Sequence, residues 1–412
     1  MQIEVLTIGT ELLLGFTLDS NGAEIARSLA NVGVRVVRRT SVGDRGEEIR
    51  DAIRDALGRT GAVITTGGLG PTHDDVTKNA VADLFSAPLE FDADVWQALV
   101  DRFAKLGRVP AESNRVQAQV PRGATVLPNR WGTAPGLWLE GAAGLAVLLP
   151  GVPREMRKLL GHEVVPRLVA RAGGPRRVIR SVVVRTTGIP ESTLAERLGD
   201  VDERVAPLTL AYLPGYDGVD LRLTAWALPP DEADGRLRAG AELLWARAGD
   251  HAYGEDDADL AAVVLAAARS RGLRIAVAES CTGGLIGKRL TDTPGSSEVF
   301  AGGVIAYDDR LKTGALGVPE ALLRAHGAVS EEVARAMAVG GAERFGVELA
   351  VSVTGIAGPA GGTEAKPVGT VWLATALRDE VEAVRVMLPG SRAEIRARAA
   401  QAALSLLRRR LR

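Results

Sequence analysis

The sequence predicts an α/β protein: two domains built on parallel sheets, with a smaller α+β unit between them. Three observations carry this. A chain of 412 residues exceeds what one hydrophobic core usually serves, so two or three domains are expected. Residues 1–66, and again the segment from Asp259 onward, alternate β-branched runs with stretches whose apolar residues recur at helical spacing, the pattern of strands joined by crossover helices. Residues 178–250 break that alternation and read strand, helix, two strands, helix.

Taken in order, IEVLTIG (3–9) is a strand carrying Glu4, and Ile25, Leu29 and Val32 follow at helical spacing. VRVVRRTSV (34–42) is the next strand. Ile49, Ile53 and Leu57 mark a second helix, and AVITT (62–66) closes the unit. Residues 67–136 are rich in loop signals (GGLGPTHDD, GRVPAESN, RWGTAPG). LAVLLP (145–150) resumes the sheet, and Pro153 opens a helix to about residue 170. ARAGGPRR (170–177) is a candidate linker, and a second boundary is expected near HAYGEDDAD (251–259). Beyond it come a helix to Arg271, the strand LRIAVAES, a helix from Thr282, and the strand FAGGVIAY. A helix at about 330–345, the strands VELAVSVTG, GTVWLAT and EAVRVML, and a terminal helix after Pro389 complete the chain.

Composition narrows the function. Hydrophobic residues at 46% and charged residues at 25% describe a folded chain rather than a disordered one. A net charge of −1 gives no support for a general binder of nucleic acid or anionic membrane. The single cysteine excludes an internal disulfide and suits a reducing interior. No apolar run approaches the roughly 20 residues of a membrane helix, and the N-terminus lacks a basic, apolar leader. A cytoplasmic location is the expectation.

One segment stands out chemically. PGSSEVFAGGVIAYDDRLK (294–312) holds paired serines, Tyr307 ten residues after Ser297, and Lys312 five further on. Only six of the 50 basic residues are lysine: Lys78, Lys105, Lys158, Lys288, Lys312 and Lys366. Arginine stays protonated, whereas a desolvated lysine can lose its proton and serve as a base. A neutral lysine can activate a serine hydroxyl, and Tyr307 can relay a proton. The spacing equally suits a lysine that merely caps a surface helix. Upstream, AVAESCTGG (276–284) is a strand, turn and helix start whose N–H groups, near Thr282, Gly283 and Gly284, suit an anion. Cys281 lies beside it with no neighbouring histidine in the sequence, which favours a buried thiol over a nucleophile.

In the first domain GGLGPTHDD (67–75) follows a strand and precedes a helix, the setting of a loop that wraps phosphate with backbone N–H groups. Asp74 and Asp75 at the helix start suit either ordinary capping or a hard divalent cation. His73 has no second histidine close by, and a metal-ligand role for it is disfavoured.

From about residue 258 to the end the sequence resembles the nicotinamide-nucleotide amidase domain. The shared words are AESCTGG, TDTPGSSEVFAGGVIAYDDRLK, GAVSEEVARAMAVGGAERFG, AVSVTGIAGPAGGTEAKPVGTVW and LPGSRAEIRARAAQAAL. The resemblance implies hydrolysis of nicotinamide mononucleotide to nicotinate mononucleotide and ammonia, without a metal. It implies Ser297 as nucleophile, Lys312 as base and Tyr307 in support, with Ser280, Thr354 and Arg392 in the same pocket. Arg392, before a helix, would suit the substrate phosphate through forked hydrogen bonds.

Residues 1–170 resemble the molybdopterin-binding-like domain at the front of the CinA family, through IGTELLLGFTLDSN, TTGGLGPTHDDVTK, ESNRVQAQVP, NRWGTAPG and LPGVPREM. The order of domains matches that family too: a three-layer front domain (1–171), a KH-like middle unit (172–252) and the amidase domain (253–412). The resemblance implies a homodimer and a divalent-metal-dependent ADP-ribose pyrophosphatase activity in front. Candidate ligands there are Glu11, Asp19, Asn21, Gly67, Gly68, Gly70, Asp74, Asp75 and Lys78, with Asp74 and Asp75 taking the metal. Nicotinamide mononucleotide and ADP-ribose are the expected small-molecule partners. A competing reading is a competence factor that binds nucleic acid or a pterin, with one or both catalytic domains serving as scaffold. True KH modules grip nucleotides with a GXXG loop between helices. The only such string in 172–250 is GYDG (215–218), which is acidic and joins two expected strands.

Overall fold

The structure, a computed structural model, describes residues 1–173 and 177–412. The linker expected at 170–177 falls partly on 174–176, which lie outside the described residues. The described chain divides into two compact units, residues 1–180 with 225–235, and residues 181–224 with 236–412.

The first unit is a three-layer α/β sandwich. Its strands are β1 (Gln2–Ile8), β2 (Arg35–Val42), β3 (Ala62–Thr66), β4 (Leu89–Phe91), β5 (Gln119–Pro121), β6 (Thr125–Leu127), β7 (Gly136–Gly141) and β8 (Gly144–Leu149). Six of them form one sheet in the order β2-β1-β3-β8-β7-β6, and β4 pairs with β5 apart from it. The β1–β2, β1–β3 and β3–β8 pairings are parallel, while β6 and β7 are antiparallel additions. Alternation along the strands supplies two cores. Val63 and Leu148 face Ile49 and Ile53 of the helix Gly46–Thr60, whereas Ile64 and Val147 face Ile25, Leu29 and Met156. Buried Glu4 is neutralised by a forked pair of hydrogen bonds from Arg59, at 2.7 and 2.9 Å.

The loop signals between 67 and 136 conceal two helices, Thr77–Leu84 and Ala93–Lys105. In the second, Val95, Trp96, Leu99, Val100 and Phe103 recur at helical spacing although only Leu99 is fully buried, and its start rests on Asp92 accepting the Asp94 and Val95 N–H groups. The helix from Pro153 continues through a π-turn at Leu160–Val164 to Ala172.

Next comes a four-stranded sheet of β9 (Val178–Thr186), β10 (Thr209–Pro214), β11 (Val219–Leu228) and β12 (Ala252–Glu255), in the order β10-β11-β9-β12. The segment expected to be a boundary, 251–259, therefore contains a strand of this sheet. Within the second unit that sheet's loops meet the terminal helix Arg392–Arg410: Gln401 donates to the Thr187 hydroxyl at 3.1 Å, and the buried Arg408 donates to the carbonyls of Ala252, at 2.5 Å, and Asp250.

The rest of the second unit holds β13 (Ile275–Glu279), β14 (Phe300–Ile305), β15 (Leu349–Gly355), β16 (Thr370–Leu377) and β17 (Glu380–Met387), in the order β14-β13-β15-β16-β17. The β13–β14 and β13–β15 pairs are parallel; β16 and β17 run antiparallel. On one face Val277, Val351 and Leu373 pack on Leu265, Leu404 and Leu407 of the helices Leu260–Ser270 and Arg392–Arg410. On the other, small residues let the helix Glu331–Phe345 lie close: Ala278 joins Met337, and Ala374 joins Ala334 and Ala338. No helix among the described residues is long and apolar enough to cross a membrane.

Gly340 of that close-packed helix fixes the helix Asp309–Leu316, which carries Lys312. A Cβ on Gly340 would stand 1.7 Å from the Leu316 carbonyl oxygen. An interior helical glycine normally gains up to about 1 kcal/mol on becoming alanine. Here overpacking against backbone reverses the sign, and Gly340→Ala is expected to cost about 1–3 kcal/mol. Urea unfolding of the variant beside the parent checks this.

Candidate functional site

In open parallel sheets ligands bind beyond the carboxyl ends of the strands, where neighbouring crossovers diverge. The second unit places a cleft of about 200 Å³ there. Ser280 and Cys281 come from the end of β13, Tyr307 from the end of β14, and Thr354 and Gly355 from the end of β15, joined by Asp309, Lys312 and Arg392. The volume is below the ~300–1,000 Å³ of a typical small-molecule cavity.

Lys312 is 1% exposed. Its Nζ donates to Asp309 Oδ1 at 3.1 Å and to the Tyr307 carbonyl at 3.4 Å. Asp309 is a partner the sequence reading missed, although its spacing of three residues on one helix was a usable signal. Ser280, 8% exposed, lines the cleft beside Lys312. Tyr307 is 60% exposed, and its hydroxyl accepts a hydrogen bond from Arg392 at 2.7 Å. The other arm of Arg392 donates to the Gly358 carbonyl at 2.7 Å. Thr354 is buried and spends its hydroxyl on the Ala328 carbonyl at 2.7 Å. Burial pushes the Cys281 thiol up to about 12, which leaves it no nucleophilic character near neutral pH.

Ser297 is not in this cleft. It lies exposed in the short 3₁₀ turn Ser296–Glu298, which leads into the start of β14. Since β14 runs parallel to β13, with Ile275 opposite Phe300 and Glu279 opposite Ile305, Ser297 sits at the amino edge of the sheet and Tyr307 and Lys312 at the carboxyl edge. A six-residue strand separates them by roughly 17–20 Å. The structure thus brings Lys312 to Ser280 and not to Ser297.

Gly283 and Gly284 do not present free N–H groups to a ligand either. The buried carboxylate of Glu279 accepts from Gly284, Ile286 and Gly287 at 2.9, 3.2 and 2.8 Å, and the Gly283 N–H goes to the Ser280 carbonyl at 3.1 Å. Thr282 is fully buried outside the cleft lining. Glu279, unremarked in the sequence, fills the anion position of that helix start and pins the turn that carries Ser280.

In the first unit the loops after β1 and β3 meet at the carboxyl edge. Gly67, at φ 113°, lies so close to β1 that a Cβ would stand 2.2 Å from the Ile8 carbonyl, and one on Gly68, at φ 67°, would stand 2.1 Å from Thr77 Oγ1. Only glycine fits such positions. Asn21 joins them, its Nδ2 donating to Thr66 Oγ1 at 3.1 Å and to the Gly151 carbonyl at 2.7 Å. Asp19 caps its helix by accepting the Gly22 N–H at 2.8 Å, and Glu11 lies exposed beside Gly9. Asp75 packs against Gly70 and closes the loop by accepting the Thr72 N–H and hydroxyl at 2.9 and 2.5 Å. Asp74 is exposed, and hydrogen bonding by the Thr72 side chain holds its carboxyl below the usual carboxylate range.

Among the described residues no three His, Cys, Asp or Glu side chains stand close enough to hold a metal by themselves. This donor set suits an ion such as Mg²⁺, which takes one or two carboxylates and completes its shell with substrate phosphate and water. Lys78 does not extend to the loop surface as a phosphate ligand. It is 3% exposed and donates to the Val116 carbonyl.

The chain belongs to the CinA family. Residues 257–411 match the family model "CinA C-terminal domain", residues 181–254 "Damage-inducible protein CinA KH domain", and residues 4–170 "Probable molybdopterin binding domain". A CinA-like protein of Gemmatimonas aurantiaca is 55% identical over 411 residues, covering 99% of this chain and 96% of its own. One from Dictyoglomus turgidum is 40% identical over 409 residues, covering 99% of each chain. Among solved structures, a competence/damage inducible protein from Agrobacterium tumefaciens is 41% identical over 36% of this chain and 92% of its own, with a TM-score of 0.36.

Burial lowers the Lys78 ammonium to about 8, against the opposing pull of Asp75. In the unfolded chain a lysine keeps its proton to about 10.4, so between about pH 8 and 10.4 the unfolded state binds more protons and stability rises with pH. That contribution is lost as pH falls through 8. In Lys78→Met the rise should be flattened, which urea unfolding of both proteins at pH 7.5 and pH 10 measures.

Proposed function

We propose that the second unit hydrolyses the carboxamide of nicotinamide mononucleotide, with Ser280 as nucleophile and Lys312 as its base. The observation that carries this is the shared cleft: a near-buried serine, the one fully buried lysine of that unit, Tyr307 and Arg392 converge at the carboxyl edge. The amidase resemblance suggests the substrate class, and the shared lining of Ser280 and Lys312 favours Ser280 over Ser297 as the nucleophile.

A neutral lysine keeps two N–H donors and one lone pair. Asp309 Oδ1 and the Tyr307 carbonyl take the two donors, which leaves the lone pair for the serine hydroxyl. Ser280 Oγ attacks the carboxamide carbon as its proton passes to Lys312 Nζ. Collapse of the tetrahedral intermediate breaks the C–N bond, and the lysine returns the proton to the departing nitrogen as ammonia. Water then attacks the acyl-serine, giving its proton to Lys312; collapse of this second intermediate breaks the acyl–Oγ bond, Lys312 returns the proton to Ser280 Oγ, and nicotinate mononucleotide leaves. Arg392 has five N–H donors, and two go to Tyr307 and Gly358. The others remain for the phosphate.

Ser280→Ala should reduce turnover on the order of 10⁴-fold or more, with Ser297→Ala close to the parent. Lys312→Arg keeps the charge but cannot accept the proton, and should be nearly as inactive as Lys312→Ala. Ammonia release and mass analysis of the product read all four variants. An active Ser280→Ala beside a dead Ser297→Ala would overturn the assignment, and an active Lys312→Arg would remove the lysine base.

For the first unit we propose cleavage of ADP-ribose, on the strength of the resemblance and of the glycine loop at 67–70. Asp74 would hold a divalent cation together with substrate phosphate oxygens; such an ion, when bound, neutralises charge developing on the phosphates. EDTA should therefore abolish release of AMP from ADP-ribose while leaving ammonia release unchanged. Loss of ammonia release on chelation would overturn the metal-free amidase.

A further inference from the structure

The GYDG string of the middle unit is the turn of a β-hairpin. Pro214 of β10 pairs with Val219 of β11, and the Gly215 N–H donates to the Gly218 carbonyl at 2.8 Å. A nucleotide-gripping loop would leave this tip free. Instead its side chains meet the helix Arg392–Arg410. The Tyr216 side chain adds to the hydrogen bonding by Ser391 that holds the Glu394 carboxyl below the usual carboxylate range, and the Arg398 guanidinium lies over the Tyr216 ring, 5.7 Å from its centroid. Asp217 stands 3.7 Å from Arg289, which also donates to Gln401 of the same helix at 2.7 Å.

Glu394 is not an ordinary surface acid. It is the return arm of a capping box: its carboxylate accepts the Ser391 N–H at 2.6 Å, and Ser391 Oγ accepts the Glu394 N–H at 3.5 Å. Arg392 is the residue enclosed by that box and the first of the helix. Its guanidinium reaches the cleft, oriented by Tyr307 and Gly358. A continuous chain of contacts thus runs from the hairpin tip, through Glu394 and the first helical turn, to the cation at the cleft mouth.

We propose that Tyr216 is a positioning residue for Arg392, so that the middle unit sets the affinity of the cleft for the phosphate-bearing end of its ligand. This rests on the amidase reading for the identity of that ligand. The mechanism is geometric. Tyr216 holds Glu394 in the rotamer that closes the capping box, and the box fixes the backbone from which Arg392 reaches the anion. Tyr216 itself is 56% exposed, so its removal leaves the buried cores of the unit untouched.

The test is a double-mutant cycle on the full-length chain. Calorimetry measures the affinity of nicotinamide mononucleotide for the parent, Tyr216→Ala, Arg392→Ala and the double variant, with nicotinamide riboside as the probe lacking phosphate. Tyr216→Ala is expected to weaken the mononucleotide five- to tenfold, to leave riboside binding within twofold, and to add nothing in the Arg392→Ala background. Tyr216→Phe, which keeps the ring beneath Arg398, should fall between parent and alanine. Equal weakening of both probes, additive effects of the two substitutions, or no effect of Tyr216→Ala would each overturn the proposal. Ammonia release is assayed separately. A parent that binds the mononucleotide and obeys the cycle but releases no ammonia would sink the amidase reading while the positioning role stands.

Discussion

Strands β13, β14 and β15 run in one direction, and much of the chemistry of the second unit follows from that direction. Parallel pairing carries the ends of the three strands to a single edge, so residues far apart in the chain (Ser280, Tyr307, Lys312 and Thr354) line one cleft. The same pairing carries Ser297, only ten residues before Tyr307, to the far edge. Glu279 makes the arrangement rigid where it matters: by accepting three backbone N–H groups at the end of β13, it gives the turn bearing Ser280 a fixed conformation without leaving buried donors unpaired.

How far this was legible in the sequence follows from the same geometry. The alternation of periods marked the principal sheet strands of both α/β regions, because buried parallel strands are continuous apolar runs. Lys312 was legible because a scarce residue type stood out against arginine. The choice of serine was not, since spacing along the chain does not say on which edge of a sheet a residue emerges. Ser297 and Lys312 looked like neighbours only while the strand between them had no direction. The helix start at Thr282–Gly284 is opaque for a related reason: the acceptor for the Gly284 N–H, Glu279, lies at the end of the preceding strand, and that for Gly283 is the Ser280 carbonyl. Lys78 lay in a motif that suggests phosphate contact, but only packing reveals that its ammonium turns inward to the Val116 carbonyl.

The terminal helix Arg392–Arg410 joins what the sequence reading divided. Its first turn carries the cleft arginine, its middle presents Gln401 to Thr187, and its last turns bury Arg408 against carbonyls of residues 250 and 252. The small sheet therefore belongs largely to the same compact unit as the cleft. A helix secured at three points along its length moves as one body, and an arginine at its start inherits that stiffness.

Cys281, adjacent to Ser280 in the chain, is the only sulfur atom of the protein outside methionine. Burial pushes its thiol well above the ordinary range, so near neutral pH it stays protonated. Oxidants and electrophiles that act through thiolates pass over such a site. The cleft therefore carries beside its serine a thiol that serves as a small packing group and not as a second nucleophile.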